Sequence, residues 1–114
     1  MLNRILENGG FTLQGITLKD VSQGYACALQ GHEKVVELKD ISEEVISEYM
    51  EAKSQLVQGN KNLCFGAWHD TETDKIYLDL SEVLPSKKVA LKKAYKREQL
   101  AIFNLNTFES IYLR

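Results

Sequence analysis

A chain of 114 residues, 44% apolar and 26% charged, with one proline and a formal net charge of −2, has the composition of a single ordinary globular domain spanning 1–114. That excludes disordered and fibrous classes, and a chain this long buries a core without disulfides or zinc. The apolar run in Met1–Leu13 is too short for a signal peptide and no stretch approaches the roughly 20 apolar residues of a membrane span, so a cytoplasmic protein with no membrane partner is the expectation.

The charges are segregated. Residues 33–84 carry twelve acids against five bases, whereas residues 85–114 carry seven bases against two acids. Within residues 9–38, short apolar runs separated by Lys19-Asp20 and Ser22-Gln23-Gly24 predict two or three strands; Tyr25, Cys27 and Leu29 alternate with Ala26 and Ala28, as on a strand with one buried face. Cys27 and Cys64 each lie in such a run, with no C-x-x-C spacing and no histidine at ligand spacing, and read as buried reduced thiols.

From Ile41 the period changes. Ile41, Val45, Ile46, Tyr49, Met50, Leu56 and Val57 recur at three- and four-residue steps, Asp40 precedes Glu43 like a capping box, and Gly59 follows as a stop, which predicts a helix over Ile41–Gln58. Glu43, Glu44, Ser47, Glu48 and Glu51 fall on its outer face: a solvated helix back, or a docking face for a basic partner.

Leu63, Phe65 and Ala67 alternate before Thr71–Asp74, and Ile76, Leu78 and Leu80 after it, the pattern of a hairpin. Pairing Asp70 with Lys75 sets Ala67 opposite Leu78, Phe65 opposite Leu80 and Trp68 opposite Tyr77, so aliphatic residues share one face and the two aromatics the other; a slip of one residue mixes the faces. The stretch is rich in His and Asp, but His69 and Asp70 point to opposite faces and Asp79 lies more than about 10 Å along the strand from Lys75, so three ligands do not converge.

Pro85-Ser86 opens a second helical run in which Ala90, Leu91 and Ala94 share a side and Lys88, Lys92, Lys93, Lys96 and Arg97 cover the rest, which makes the basic helix 87–97 a candidate grip on nucleic-acid phosphates. One or two final strands follow in Ala101–Leu113.

The pieces Asn8-Gly9-Gly10-Phe11-Thr12, Gly24-Tyr25-Ala26-Cys27-Ala28-Leu29, Gly66-Ala67-Trp68-x-Asp70-x-Glu72-Thr73-x-Lys75-x-Tyr77-x-Asp79-x-Ser81 and Gln99-Leu100-Ala101-Ile102-Phe103-x-Leu105 resemble a pattern of small uncharacterised accessory proteins of phages, plasmids and integrative elements. The resemblance implies the company of mobile elements, some of whose small proteins inhibit host defence nucleases in the anti-CRISPR manner, and it brings no catalytic residue with it.

The expectation is therefore an α+β domain, a mostly antiparallel sheet of about five strands with two helices on one face. The function expected is non-enzymatic protein binding, with no catalytic residue, cofactor or metal, through Glu44, Glu48, Glu51, Trp68, Asp70, Glu72, Asp74 and Tyr77 toward a host protein such as a CRISPR effector nuclease, because carboxylates can stand where phosphates would lie and aromatics anchor interfaces. The competing readings are a nucleic-acid-binding module on Lys88, Lys92, Lys93, Lys96 and Arg97, and a hydrolase or metalloenzyme on His69, Asp70 and Asp79.

Overall fold

The sheet is organised by one long strand, Lys75–Leu84. The computed structural model of the protein describes residues 1–113 and orders them as α1 (Leu2–Asn8), β1 (Gly10–Gln14), β2 (Tyr25–Ala28), β3 (Lys34–Glu37), a 3-10 turn (Leu38–Asp40), α2 (Glu43–Ala52), α3 (Ser54–Gly59), β4 (Leu63–Asp70), β5 (Lys75–Leu84), α4 (Lys87–Lys96), β6 (Ala101–Asn104) and β7 (Glu109–Tyr112). Every strand pairing is antiparallel, in the order β1-β4-β5-β2-β6-β7. β4 runs along one edge of β5, while the other edge is shared: β3 pairs with Lys75–Leu78 and β2 with Ser81–Leu84.

The α+β class and the mostly antiparallel sheet hold, with seven strands among the described residues, close to the five or so expected, and four α-helices where two were expected. Part of the excess is α1, which buries Ile5 completely and ends at Gly9, whose φ of 84° is the left-handed conformation glycine adopts without strain. A helix of seven residues is marginal by itself in water, so packing of Ile5 and Leu2 on the core sustains it.

The helix expected over Ile41–Gln58 is two helices. Its N-cap is Ser42, whose Oγ accepts from the Val45 amide at 3.1 Å; Asp40 closes the preceding 3-10 turn instead, and Ile41 stays outside the helix and packs on the core that holds Ile46. The break falls at Lys53, which occupies the core-facing stripe four residues after Tyr49. Its ammonium is drawn to His32 Nδ1 at 3.2 Å and over the Tyr49 ring, and α3 then carries Val57 into the core. α4 starts as expected, capped by Ser86 on the Val89 amide, and buries Ala90 and Ala94.

Two apolar clusters fill the interior. The larger joins Ile5, Ile46, Tyr49 and Val57 of the first three helices to Phe11, Leu13, Leu63, Phe65, Ala67, Ile76, Leu78 and Leu80 of the sheet. The smaller packs Ala90 and Ala94 against Cys27, Leu84 and Ile102. Between them on β5 sits Glu82, 3% exposed, level with Leu63 on one neighbouring strand and Cys27 on the other.

Candidate functional site

The hairpin of β4 and β5 has the register that alternation predicts, with Asp70 level with Lys75, Trp68 with Tyr77, Ala67 with Leu78 and Phe65 with Leu80. Its turn closes with Asp74 at φ 54°, a conformation aspartate tolerates better than most residues. Because side chains alternate across a strand, Trp68 and Tyr77 stand on the face opposite Phe65, Ala67, Leu78 and Leu80. Their rings stack at 4.6 Å with an interplanar angle of 10°.

The row continues onto β3, where Val35 is level with Tyr77. Trp68 is 46% exposed and Val35 47%, so an apolar band crosses β4, β5 and β3 in contact with water. On one side of it lies the row Asp70, Lys75 and Glu37; on the other lie Gly66 and Asp79. The hairpin tip adds Glu72 and Asp74. Asp70 accepts from the Glu72 amide at 3.0 Å, and Asp74 Oδ1 lies 3.3 Å from His69 Nε2.

Asp79 lies against Gly66, so close that a Cβ at that glycine would meet its Oδ1 at 2.3 Å. Burial, reinforced by the negative charge of Glu33 and opposed by a hydrogen bond from Ser81, pushes the Asp79 carboxyl up to about 6. His69, Asp70 and Asp79 do not converge, and no group of three or more His, Cys, Asp or Glu is placed to hold a metal among the described residues. Cys27 and Cys64 are free and buried, and burial pushes the Cys64 thiol up to about 11, away from the thiolate form a nucleophile needs.

The other residues singled out from sequence lie elsewhere. Glu44, Glu48 and Glu51 are exposed on the outer side of α2, and none makes an ion pair among the described residues; Glu43 instead meets the amino terminus. α2 packs its inner side on the Phe65 face, where Tyr49 meets Phe65 edge-on at 6.3 Å, so the acidic helix and the Trp68–Tyr77 stack occupy opposite sides of the hairpin. The eight candidate residues therefore lie on two surfaces, Glu44, Glu48 and Glu51 on α2 and the other five on the hairpin.

The basic set also divides. Lys88, Lys92 and Lys96 are exposed, but Lys93 Nζ donates to both oxygens of Glu82 at 3.0 Å and Arg97 Nη2 to Oε1 at 2.8 Å. Asn60, capping α3, donates to the same carboxylate at 3.2 Å. Two of the five candidate phosphate ligands are thus engaged by the buried Glu82 carboxylate, although their side chains remain partly exposed. Glu82 is the residue sequence reasoning missed; an acid inside the apolar run Leu78–Leu84 was the available signal.

A cavity of about 360 Å³ lies beside α2, lined by His32, Glu33, Lys34, Glu48, Tyr49, Ala52 and Lys53. Tyr49 donates its hydroxyl to the His32 carbonyl, and burial first, then the charges of Asp79 and Glu33, hold that hydroxyl far above its ordinary value, so it acts here as a donor that ties the loop before β3 to α2.

No protein-family model, curated protein or solved structure matches this chain. The structure contains no helix long and apolar enough to cross a membrane among the described residues.

Proposed function

We propose that this chain is a non-enzymatic protein-binding module, an accessory protein of a mobile element whose partner is a host protein of the nuclease class that anti-CRISPR inhibitors engage. The observation that carries the reading is the stack of exposed Trp68 on half-buried Tyr77, extended by exposed Val35 and bordered by Asp70, Glu72, Asp74 and Glu37. Aromatic side chains in a desolvated centre with a charged rim are the usual anatomy of a protein interface, and the acidic rim favours a partner whose own surface is basic, as a nucleic-acid-binding cleft is.

Stacked aromatics on a sheet also suit nucleotide bases. Here the acidic rim opposes that reading, since phosphates would approach Asp70, Glu72 and Asp74. The nucleic-acid alternative therefore rests on α4 alone, with Lys88, Lys92 and Lys96.

The test is binding of purified protein to a panel of bacterial effector nucleases and to duplex and single-stranded DNA. Trp68→Ala should weaken nuclease binding at least about tenfold, or 1–2 kcal/mol, and leave the fold intact. Reversal of Glu44, Glu48 and Glu51 to lysine, on the other side of the hairpin, reports whether the acidic helix takes part. Neutralising Lys88, Lys92 and Lys96 should leave binding unchanged. Salt-dependent DNA binding lost with those lysines would replace this reading by the nucleic-acid one.

A further inference from the structure

We propose that β7 is an assembly edge on which a second copy of this chain pairs, antiparallel and two-fold, to continue the sheet. The three exposed strand edges are treated differently. The outer edge of β1 is covered by its own chain: Leu13 bridges Asp20, the Gln14 amide donates to Lys19 and the Val21 amide to Thr12. The outer edge of β3 is four residues long and bracketed by Lys34 and Glu37, charges of the kind that discourage strand addition. β7 is as short as β3, but among the described residues it is neither covered by its own chain nor charged at both ends. Its residues are Glu109, Ser110, Ile111 and Tyr112, with one charge, no proline and no covering segment among those described.

Apolar side chains flank this edge on both sides of the sheet. Leu100, level with Leu113 through the bond from the Leu113 amide, is 65% exposed. On the other face Tyr112 is 70% exposed and Phe108, packed edge-on against Phe103 at 6.4 Å, is 74% exposed. Phe108 sits at φ 60°, a conformation that disfavours a bulky residue, so the turn holds an exposed aromatic where glycine or asparagine would be less strained. At these exposures the two aromatics and Leu100 offer on the order of 400 Å² per copy, half of the roughly 800 Å² per partner in a standard interface. The edge therefore suits a weak, concentration-dependent dimer.

The hydrogen bonding is self-complementary. The Leu113 amide points to Leu100, so by the alternation of an antiparallel ladder Glu109 and Ile111 bond inward to β6 while the N–H and C=O of Ser110 and Tyr112 face outward. A two-fold axis through Ile111 sets Ser110 level with the partner's Tyr112 and Tyr112 level with the partner's Ser110, giving four backbone hydrogen bonds from identical edges. In that register the two Glu109 side chains lie about 14 Å apart along the strands, beyond the roughly 10 Å screening length at 0.1 M salt. A net charge of −2 per chain adds little repulsion.

Sedimentation equilibrium from micromolar to sub-millimolar concentration reads the outcome. The natural sequence should approach twice the chain mass. Ser110→Pro removes an outward amide without touching the β6 ladder, and Tyr112→Lys sets a charge on the edge; each should raise the dimer Kd at least tenfold with unchanged far-UV circular dichroism. Should Ser110→Pro lose its fold, Tyr112→Lys carries the comparison. A protein that stays monomeric over the whole range overturns the proposal, even if a foreign strand binds the same edge, and so does a dimer that survives Tyr112→Lys.

Discussion

Glu82 is a carboxylate buried between two apolar clusters and held by three donors, and the energetics of that arrangement can be divided experimentally. Burial pushes its pKa up, but the hydrogen bonds from Arg97, Lys93 and Asn60 together outweigh burial and leave it below the ordinary 4.5. With the folded pKa below the unfolded one, this stabilisation is present in full above about pH 4.5 and is lost as pH falls through the folded value. Replacing Lys93 and Arg97 together by Met leaves a buried carboxylate with only Asn60, and stranding a buried charge costs about 3–5 kcal/mol. An unfolding entropy of about 2.1 cal/mol/K per residue over this chain length makes 1 kcal/mol worth about 4 °C in Tm, so the double variant should melt some 12–20 °C lower at pH 7. Adding Glu82→Met removes the stranded charge and should recover stability to within about 1 kcal/mol of the natural sequence, since a well-packed apolar residue commonly replaces a buried ion pair at no net cost. Urea unfolding at pH 7 and pH 4 measures both steps, and the double variant should gain more stability on acidification than either the natural sequence or the triple variant, which share the gain from protonating Asp79. If the triple variant is no more stable than the double one, desolvation of Glu82 is not what the two cations offset, and the reasoning fails.

Asp79 gives the opposite pH dependence. Its folded pKa, about 6, lies above the ordinary 3.8, so the protonated form favours the fold and stability is lost as pH rises through that interval; Asp79→Asn should raise stability by up to about 3 kcal/mol at pH 8 and change little at pH 4, read as Tm against pH. Cys64, with its thiol pushed up to about 11, should resist alkylation at pH 8 in the native state and react only on unfolding; rapid native labelling at this site by mass spectrometry would contradict its burial. Tyr77→Ala should cost the isolated domain about 0.5–1.5 kcal/mol for the lost stack in addition to the area Tyr77 buries, no more than about 3 kcal/mol in urea and short of an aromatic core truncation; a larger loss would make the stack a core element and weaken its claim as a binding surface.

The β4–β5 hairpin was legible from sequence down to the register because its information is local: alternation on both arms and a four-residue turn leave one pairing that separates aliphatic from aromatic faces. α4 was legible for the same reason, since Ser86 and the Ala90–Ala94 stripe lie within one element. The cap expected at Asp40 falls instead on Ser42, whose Oγ reaches the Val45 amide three residues on. α1 escaped notice because seven residues carry too little periodicity, and Ile5 is buried only once β1 and β4 are in place.

Local pattern along the chain sets the class of fold, the central hairpin, helical structure across residues 43–59, α4, and the segregation of acidic from basic residues. How those surfaces are shared out depends on long-range packing. The pairing of Tyr25–Ala28 with Ser81–Leu84, more than fifty residues apart, brings Cys27 level with Glu82, and α4 then delivers Lys93 and Arg97 to that carboxylate. Packing of Tyr49 on Phe65 sets the acidic helix on the side away from Trp68 and Tyr77. Periodicity states which face of an element is apolar, but not which other face covers it; that choice follows from long-range pairing, and with it goes the division of charged and aromatic residues between separate surfaces.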